Sequence, residues 1–387
     1  MPGLATPVLR DFLATHIPPI FGRIQGTGLL PDPWVPGTHI TLGERRGGYH
    51  ERIEGTHRPA KRLSGFGMAA ADEITWPYRH RFEHADTHFV RDWHFGAYNA
   101  EQVRVWGKIG VHLSDAGTFI DVYCSPAALA NPKYELPRLA LALAPMKVEC
   151  PRAIFLGPPW HHNHYHWVID IVPRLAFARP ELTEGLPVVI PPAVRQAQIE
   201  ILRAALDTMG HQDTQIERLP QGPCRFERLV MPTAPTMSMD VSAAQHGFVR
   251  SIYQRQLVER TRRRIYISRR DAAVRRITNE GPLLELLSKH GFEPVTPSGL
   301  SMAEQAALFC SAEAVIGHHG AGMTNLAFSN PGTIAIEVFH EGHFAPCFSR
   351  LAQLGELRYG YAVGKAQGAD TFVDLYPLAQ LLEEAGL

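Results

Sequence analysis

Between Arg264 and Phe339 short apolar runs alternate with helical segments, and this rhythm restricts the fold more than any other feature of the chain. Arg264–Ser268 reads as a strand, Asn279–His290 as a helix closed by Gly291, and Phe292–Val295 as a second strand. Ser301-Met-Ala-Glu304 has the form of a capping box, in which side chain and backbone satisfy each other's orphan donors, opening a helix that runs to Ala312. Ala314–Gly317 is a third strand, followed by a Gly-rich turn, a short helix at 322–329 and a fourth strand, Thr333–Phe339. Four strands joined by three helices predict a Rossmann-like α/β unit with a mostly parallel sheet.

The same alternation, less regular, occupies residues 152–245. Ala153–Leu156 is a buried-strand candidate ended by Gly157-Pro158-Pro159; a helix follows at 163–179 and stops at Pro180. Leu186–Ile190 is a strand, and Val194–Met209 a strong helix closed by Gly210. The polar, basic stretch 246–264 reads as helical. Gln102–Gly107 and Thr118–Tyr123 alternate apolar and polar residues as strands do, whereas residues 1–60 show little periodicity and read as an irregular extension. A chain of 387 residues suits two cores, which gives an extension at 1–60, an N-terminal lobe at 61–245 and a C-terminal lobe at 246–387.

Lys+Arg and Asp+Glu balance at 38 each, so no global field draws the chain to nucleic acid or anionic lipid. Five cysteines, widely spaced and never in a C-x-x-C pair, argue against a disulfide framework and a thiolate zinc site. The N-terminus lacks the pattern of a signal peptide, and no apolar run approaches the ~20 residues that span a bilayer. These features predict a soluble, cytoplasmic protein.

The sharpest chemical signal is Gly317-His-His-Gly-Ala-Gly-Met-Thr-Asn325, after a buried strand and at the start of a helix. Gly317, Gly320 and Gly322 allow a tight turn and close approach of a ligand, and free amides at a helix start favour an anion. His319, Thr324 and Asn325 add side-chain donors. A plain strand-to-helix turn explains the same spacing, and the pattern is neither a Walker motif nor G-x-G-x-x-G, which counts against an ATPase or a dehydrogenase. Arg269 and Arg270 follow the first strand, at the sheet edge where ligands bind, and Arg269, Arg275 or Arg276 would suit a diphosphate unless merely solvated. Glu337 is placed to accept from ribose hydroxyls, or to face water at a strand end. Seven arginines between 262 and 276 also invite an RNA-binding reading, which the neutral chain and the lack of a binding module disfavour.

A second cluster is Trp160-His-His-Asn-His-Tyr-His-Trp-Val-Ile-Asp170. On a helix His166 and Asp170 share a face, so the carboxylate can orient an imidazole that accepts a proton. Two other readings stand beside this one: a buried pair that only fixes the helix, and a metal-dependent hydrolase with ligands from His161 to His166. Against the metal, H-E-x-x-H is absent and the four histidines cannot all point one way.

Taken together, Tyr266-Ile-Ser-Arg-Arg-Asp271, Arg276-Ile-Thr-Asn-Glu280, Glu304-Gln305, Leu308-Phe309, the Gly317–Asn325 segment and Ile336-Glu337 resemble glycosyltransferase family 61 over residues 160–340. Asn163, His166, Trp167, Asp170 and Arg174 resemble that family's Asn-x-x-His-Trp-x-x-Asp-x-x-x-Arg segment. His318 departs from many members. The resemblance, to a bacterial capsular or lipopolysaccharide type, implies a GT-B-like fold of two Rossmann-like lobes facing a central cleft. It also implies inversion at the anomeric carbon, a nucleotide-sugar donor with UDP as the nucleotide, and a glycan or glycolipid acceptor reached at the inner face of the membrane. Donor binding is then assigned to Arg269, Arg275, Arg276, Asn279, Glu280, His319, Gly320, Ala321, Gly322, Thr324, Asn325 and Glu337. Catalysis falls to His166 and Asp170, while Asn163, Trp167 and Arg174 are acceptor-side or structural. The chain contains no Asp-x-Asp, so no metal or other cofactor is expected, and arginine with helix amides would stabilise the leaving diphosphate. A non-catalytic nucleotide-sugar-binding protein is the remaining rival.

Overall fold

A computed structural model describes residues 97–106, 111–113, 149–157, 161–232, 241, 243–256, 261, 263–272, 274–343, 345 and 347–387. The irregular extension at 1–60 and the strand at 118–123 lie outside the described residues.

The first sheet holds β1 (Ala97–Trp106), β2 (Val111–Leu113), β3 (Glu149–Phe155), β4 (Val188–Ile190), β5 (Ile216–Arg218) and β6 (Cys224–Pro232), in the order β2-β1-β6-β3-β4-β5. β5, β4, β3 and β6 are parallel, while β1 runs antiparallel to β6 and β2 antiparallel to β1. The order reverses between β3 and β6, because β4 and β5 build outward on one side of β3 and β6 returns on the other. Between β4 and β5 lies α2 (Gln196–Thr208), which buries Ile201, Leu202, Ala205 and Leu206.

The expected helix at 163–179 is instead a succession of short pieces: a π-helical turn, His166–Ile171, then a 3-10 stretch, Val172–Ala178, then α1 (Arg179–Thr183). Pro173 accounts for the break, since it has no N–H for the ladder. The Ile169 carbonyl accepts from the Gln245 side chain at 3.1 Å, and Asp170 O from Arg174 Nε at 2.6 Å. Pro180, expected to end the helix, occupies the first turn of α1, where a missing N–H costs nothing.

The second sheet contains β7 (Arg263–Ile267), β8 (Phe292–Val295), β9 (Ala312–His318), β10 (Ile334–His340), β11 (Arg358–Gln367) and β12 (Asp370–Phe372). Its order is β12-β11-β10-β9-β7-β8, with β12 alone antiparallel. Counted from β7, the parallel strands run 2-1-3-4-5, the flavodoxin-like order. The two helices expected between these strands form as α4 (Glu280–Lys289) and α5 (Met302–Ser311), and both capping-box bonds of α5 are made. The short helix after the Gly-rich turn is a 3-10 helix, Ala321–Phe328, rather than an α-helix. α6 (Cys347–Leu354), β11, β12 and α7 (Leu375–Ala385) extend the unit beyond the four strands read from sequence.

α3 (Ala243–Ile252) joins the sheets and clamps the end of the 3-10 helix: Arg250 donates to Ser329 O at 2.8 Å and to Asn330 Oδ1 at 3.0 Å. The largest hydrophobic cluster is continuous across both halves, running from Ile154, Trp167 and Leu202 to Ile265, Phe309, Met323 and Phe348. Among the described residues no helix is long and apolar enough to cross a membrane.

Candidate functional site

Parallel α/β sheets bind ligands outside the carboxyl ends of their strands, at the point where connections leave in opposite directions. In the second sheet that point lies between β7 and β9. The loop after β7 carries Arg269 and the turn after β9 carries Gly320, and the two meet. A Cβ on Gly320 would lie 2.1 Å from Arg269 Nη1 and 2.8 Å from its Cζ. The Gly320 backbone is extended (φ 170°, ψ 171°), so the guanidinium, not the dihedral, demands glycine. The other two glycines serve packing: a Cβ at Gly317 would meet Met323 Sδ at 2.9 Å, and one at Gly322 would meet Ile267 Cγ2 at 3.1 Å. Met323 N donates to Gly320 O at 2.9 Å and closes the first turn, which leaves Ala321 and Gly322 as the amides that such a helix cannot satisfy internally.

Arg269 is held in place by Nε to Arg275 O at 3.0 Å and Nη2 to Val274 O at 3.2 Å. Arg275 itself has a left-handed backbone (φ 60°). Burial lowers the pKa of both guanidinium groups, and the charge of Arg275 lowers that of Arg269 further. Among the described residues neither forms an ion pair. Two neighbouring, partly desolvated cations without a paired carboxylate make a site that favours an anion.

The remaining arginines differ. Arg263 pairs with Glu293 at 2.5 Å, Arg264 with Glu313 at 3.2 Å and Arg276 with Asp370 at 3.0 Å. Three members of the basic cluster are thus taken up in separate acid-paired contacts, and one of them, Arg276, expected at the donor, is engaged with Asp370.

Several other assigned donor residues are used internally. Glu337, expected to end a strand, lies within β10 three residues before its end and is fully buried. One oxygen bonds His319 Nδ1, and the other accepts from Tyr359 OH at 2.5 Å, so both are occupied within the protein. Asn279 clasps residue 373 in both directions, at 2.8 and 3.0 Å. Glu280 accepts from Ser268 Oγ at 2.6 Å and Tyr266 OH at 3.0 Å. Thr324 and Asn325 are fully buried, and Asn325 Nδ2 donates to Gln305 Oε1 at 2.7 Å. His318 is buried between Thr371 Oγ1 (2.8 Å) and His319 O (3.1 Å), and burial lowers its pKa to about 3. Arg269, Arg275, His319, Gly320, Ala321 and Gly322 are the assigned donor residues that the fold gathers at the switch point.

In the first sheet, the connection that leaves β3 at the reversal of strand order carries the His-rich segment. His166 Nδ1 lies 2.6 Å from Asp170 Oδ2, and both side chains are largely buried. A proton on Nδ1, donated to the carboxylate, places the lone pair on Nε2. Asp170 Oδ1 is enclosed and has no partner among the described residues. Asn163 Oδ1 accepts from Tyr165 N at 2.9 Å and shapes the entry to the turn. Trp167 is fully buried, with Nε1 donating to Gln198 O at 2.8 Å, and Arg174 Nε donates to the backbone of Asp170. The four histidines diverge, His161 being buried and His162 exposed, while His164 lies against Asn325 and His166 bonds Asp170. Among the described residues no three His, Cys, Asp or Glu side chains converge as metal ligation requires.

A chain of edge-on and tilted ring contacts connects the two regions. His166 contacts Tyr165 at 5.5 Å between centroids, Tyr165 contacts Phe348 at 5.7 Å, and Phe348 contacts His319 at 5.1 Å. Burial pushes the pKa of the Cys347 thiol up, and the charges of Glu337 and then Asp170 raise it further. Phe348, Cys347 and Tyr359 carry no motif that points to their place in the site; the amphipathic pattern of α6 marks it only as a packed helix.

Comparison with protein families identifies the chain as a glycosyltransferase. The match is to the family described as Glycosyltransferase 61 and covers residues 164–336, which hold the His166–Asp170 pair, Arg269, Arg275 and the Gly-rich turn. Comparison with curated proteins gave no match.

Proposed function

We propose that this glycosyltransferase moves a sugar, with inversion and without a metal, from a nucleoside-diphosphate donor of the UDP class to a glycan hydroxyl in surface-polysaccharide synthesis. The observation that supports this reading is that ring contacts link an imidazole–carboxylate pair at one switch point to the other, where two arginines without an ion pair among the described residues lie by Gly320. The two sheets act as the lobes of a GT-B-like enzyme with the cleft between these edges.

The acceptor oxygen attacks the anomeric carbon from the side opposite the leaving group. Its proton passes to His166 Nε2 while Asp170 stabilises the resulting imidazolium. The bond between anomeric carbon and phosphate oxygen breaks, and the charge that develops on the diphosphate is met by Arg269, Arg275 and the amides of Ala321 and Gly322. His319, held by Glu337, directs its other ring nitrogen to the same anion. A single displacement of this kind inverts the configuration.

Screening nucleoside diphosphates and their sugars by thermal shift, then assaying transfer with the donor that stabilises, tests the proposal. Saturating donor at 100 times its Kd adds ~2.7 kcal/mol to stability. Absence of stabilisation by every nucleoside diphosphate, or a product of retained configuration, would overturn it.

A further inference from the structure

We infer that His164 is a positioning residue: it latches the base-bearing segment to Asn325, and so holds the His166–Asp170 pair in register with the anion cradle. This rests on the donor and base assignments above. His164 stands two residues before His166, and its ring neighbours the Asn325 side chain, with the hydrogen bond between them left open. Asn325 belongs to the 3-10 helix that begins at the Gly-rich turn. The contact therefore joins the two halves of the site directly.

The amide of Asn325 is oriented from its far side. Its Nδ2 donates to Gln305 Oε1 at 2.7 Å, and Gln305 Nε2 in turn donates to Leu300 O at 2.9 Å, just before α5. With Nδ2 committed, Oδ1 is left as the acceptor for its other neighbour. That atom and His164 Nε2 are both enclosed, and neither has a partner among the described residues. A buried donor and a buried acceptor on adjacent side chains satisfy each other by a small approach, Nε2–H donating to Oδ1, and leaving both unmade is costly. Burial and the charge of Arg195 lower the His164 pKa to about 4, so the ring that makes the contact is neutral at physiological pH. A neutral ring at this position sets distance and angle without competing for the donor's charge.

The latch is tested by His164→Phe, which fills the space and removes the donor, and by His164→Gln, which restores an N–H. With His164→Phe, UDP affinity and donor KM remain within about threefold of wild type while kcat falls about 10–100-fold, because a misplacement near 1 Å can cost on the order of 10²-fold. His164→Gln recovers most of the loss. Wild-type kcat in His164→Phe, or parallel loss of UDP binding and kcat without rescue by Gln, overturns the inference. A thermal-unfolding cycle of His164→Phe, Asn325→Leu and the double variant tests the contact without any activity. Non-additive Tm losses support the latch and additive losses overturn it, whereas failure of wild type to bind UDP or transfer sugar sinks the functional proposal instead.

Discussion

Replacing Gly320 with alanine leaves the backbone unstrained, since φ is 170°, yet puts a methyl group 2.1 Å from Arg269 Nη1. Normal contact begins near 3.4 Å, so the guanidinium must retreat by about 3.4 − 2.1 = 1.3 Å. The bonds that hold it, 3.0 Å to Arg275 O and 3.2 Å to Val274 O, do not survive such a shift intact. Loss of charged hydrogen bonds of this type costs ~1.5–3 kcal/mol each in full, and partial re-pairing with water brings the stability loss to roughly 1–3 kcal/mol. Displacing one of two cations from the anion site should weaken UDP binding about 10–100-fold, or ~1.4–2.7 kcal/mol. Calorimetric titration with UDP beside thermal unfolding measures both effects. Gly317→Ala is the control: its methyl meets Met323 Sδ at 2.9 Å and Ile267 Cβ at 3.1 Å, so it costs stability but leaves Arg269 in place. Unchanged UDP affinity in Gly320→Ala, or equal weakening in Gly317→Ala, refutes the reasoning.

Removing the base by His166→Ala, or altering its orienting group by Asp170→Asn, should lower kcat by ~10²–10⁴-fold with little change in UDP affinity; steady-state kinetics on folded variants reads this directly. Glu337→Gln removes the charge shared by His319 and Tyr359 and is expected to lower Tm and weaken UDP binding, whereas a ribose-binding Glu337 would leave Tm unchanged. Acid should destabilise the fold: buried His246 and His318, with pKa lowered to about 4 and about 3, stay neutral while the unfolded chain's histidines take up protons near pH 6.5. Unfolding is therefore favoured as pH falls from about 6.5 towards 4, by at most ~1.4 kcal/mol per pH unit for each histidine. Denaturant titrations at pH 7 and pH 5 should show a shallower dependence in His318→Gln than in wild type.

The strands β7 to β10 were legible because each is a short apolar run punctuated by a local signal, such as Gly291 after α4 or Ser301 and Glu304 at α5. Pro173 is equally local, but its consequence was not: whether a missing N–H ends, bends or widens a helix depends on who takes the freed carbonyl. Here that is Gln245 of α3, 72 positions from the proline. β6 and β11 escaped because arginine, glutamate and lysine interrupt their apolar patterns. Glu337 was misread for a related reason, since a carboxylate in an apolar strand looks like a strand end until Tyr359 and His319 are seen to close over it. The sequence marked the Gly-rich turn as a close-approach site, and it is one, but the approaching group at Gly320 is the protein's own Arg269.

The central claim is that Arg269 and Arg275 form the anion site of a sugar-nucleotide donor. Calorimetric titration of wild type and the Arg269→Gln/Arg275→Gln double variant with UDP tests it most directly. The account predicts saturable binding by wild type and at least ~100-fold weaker binding by a folded double variant, a difference of ~2.7 kcal/mol. Equal affinity in the two proteins would contradict it.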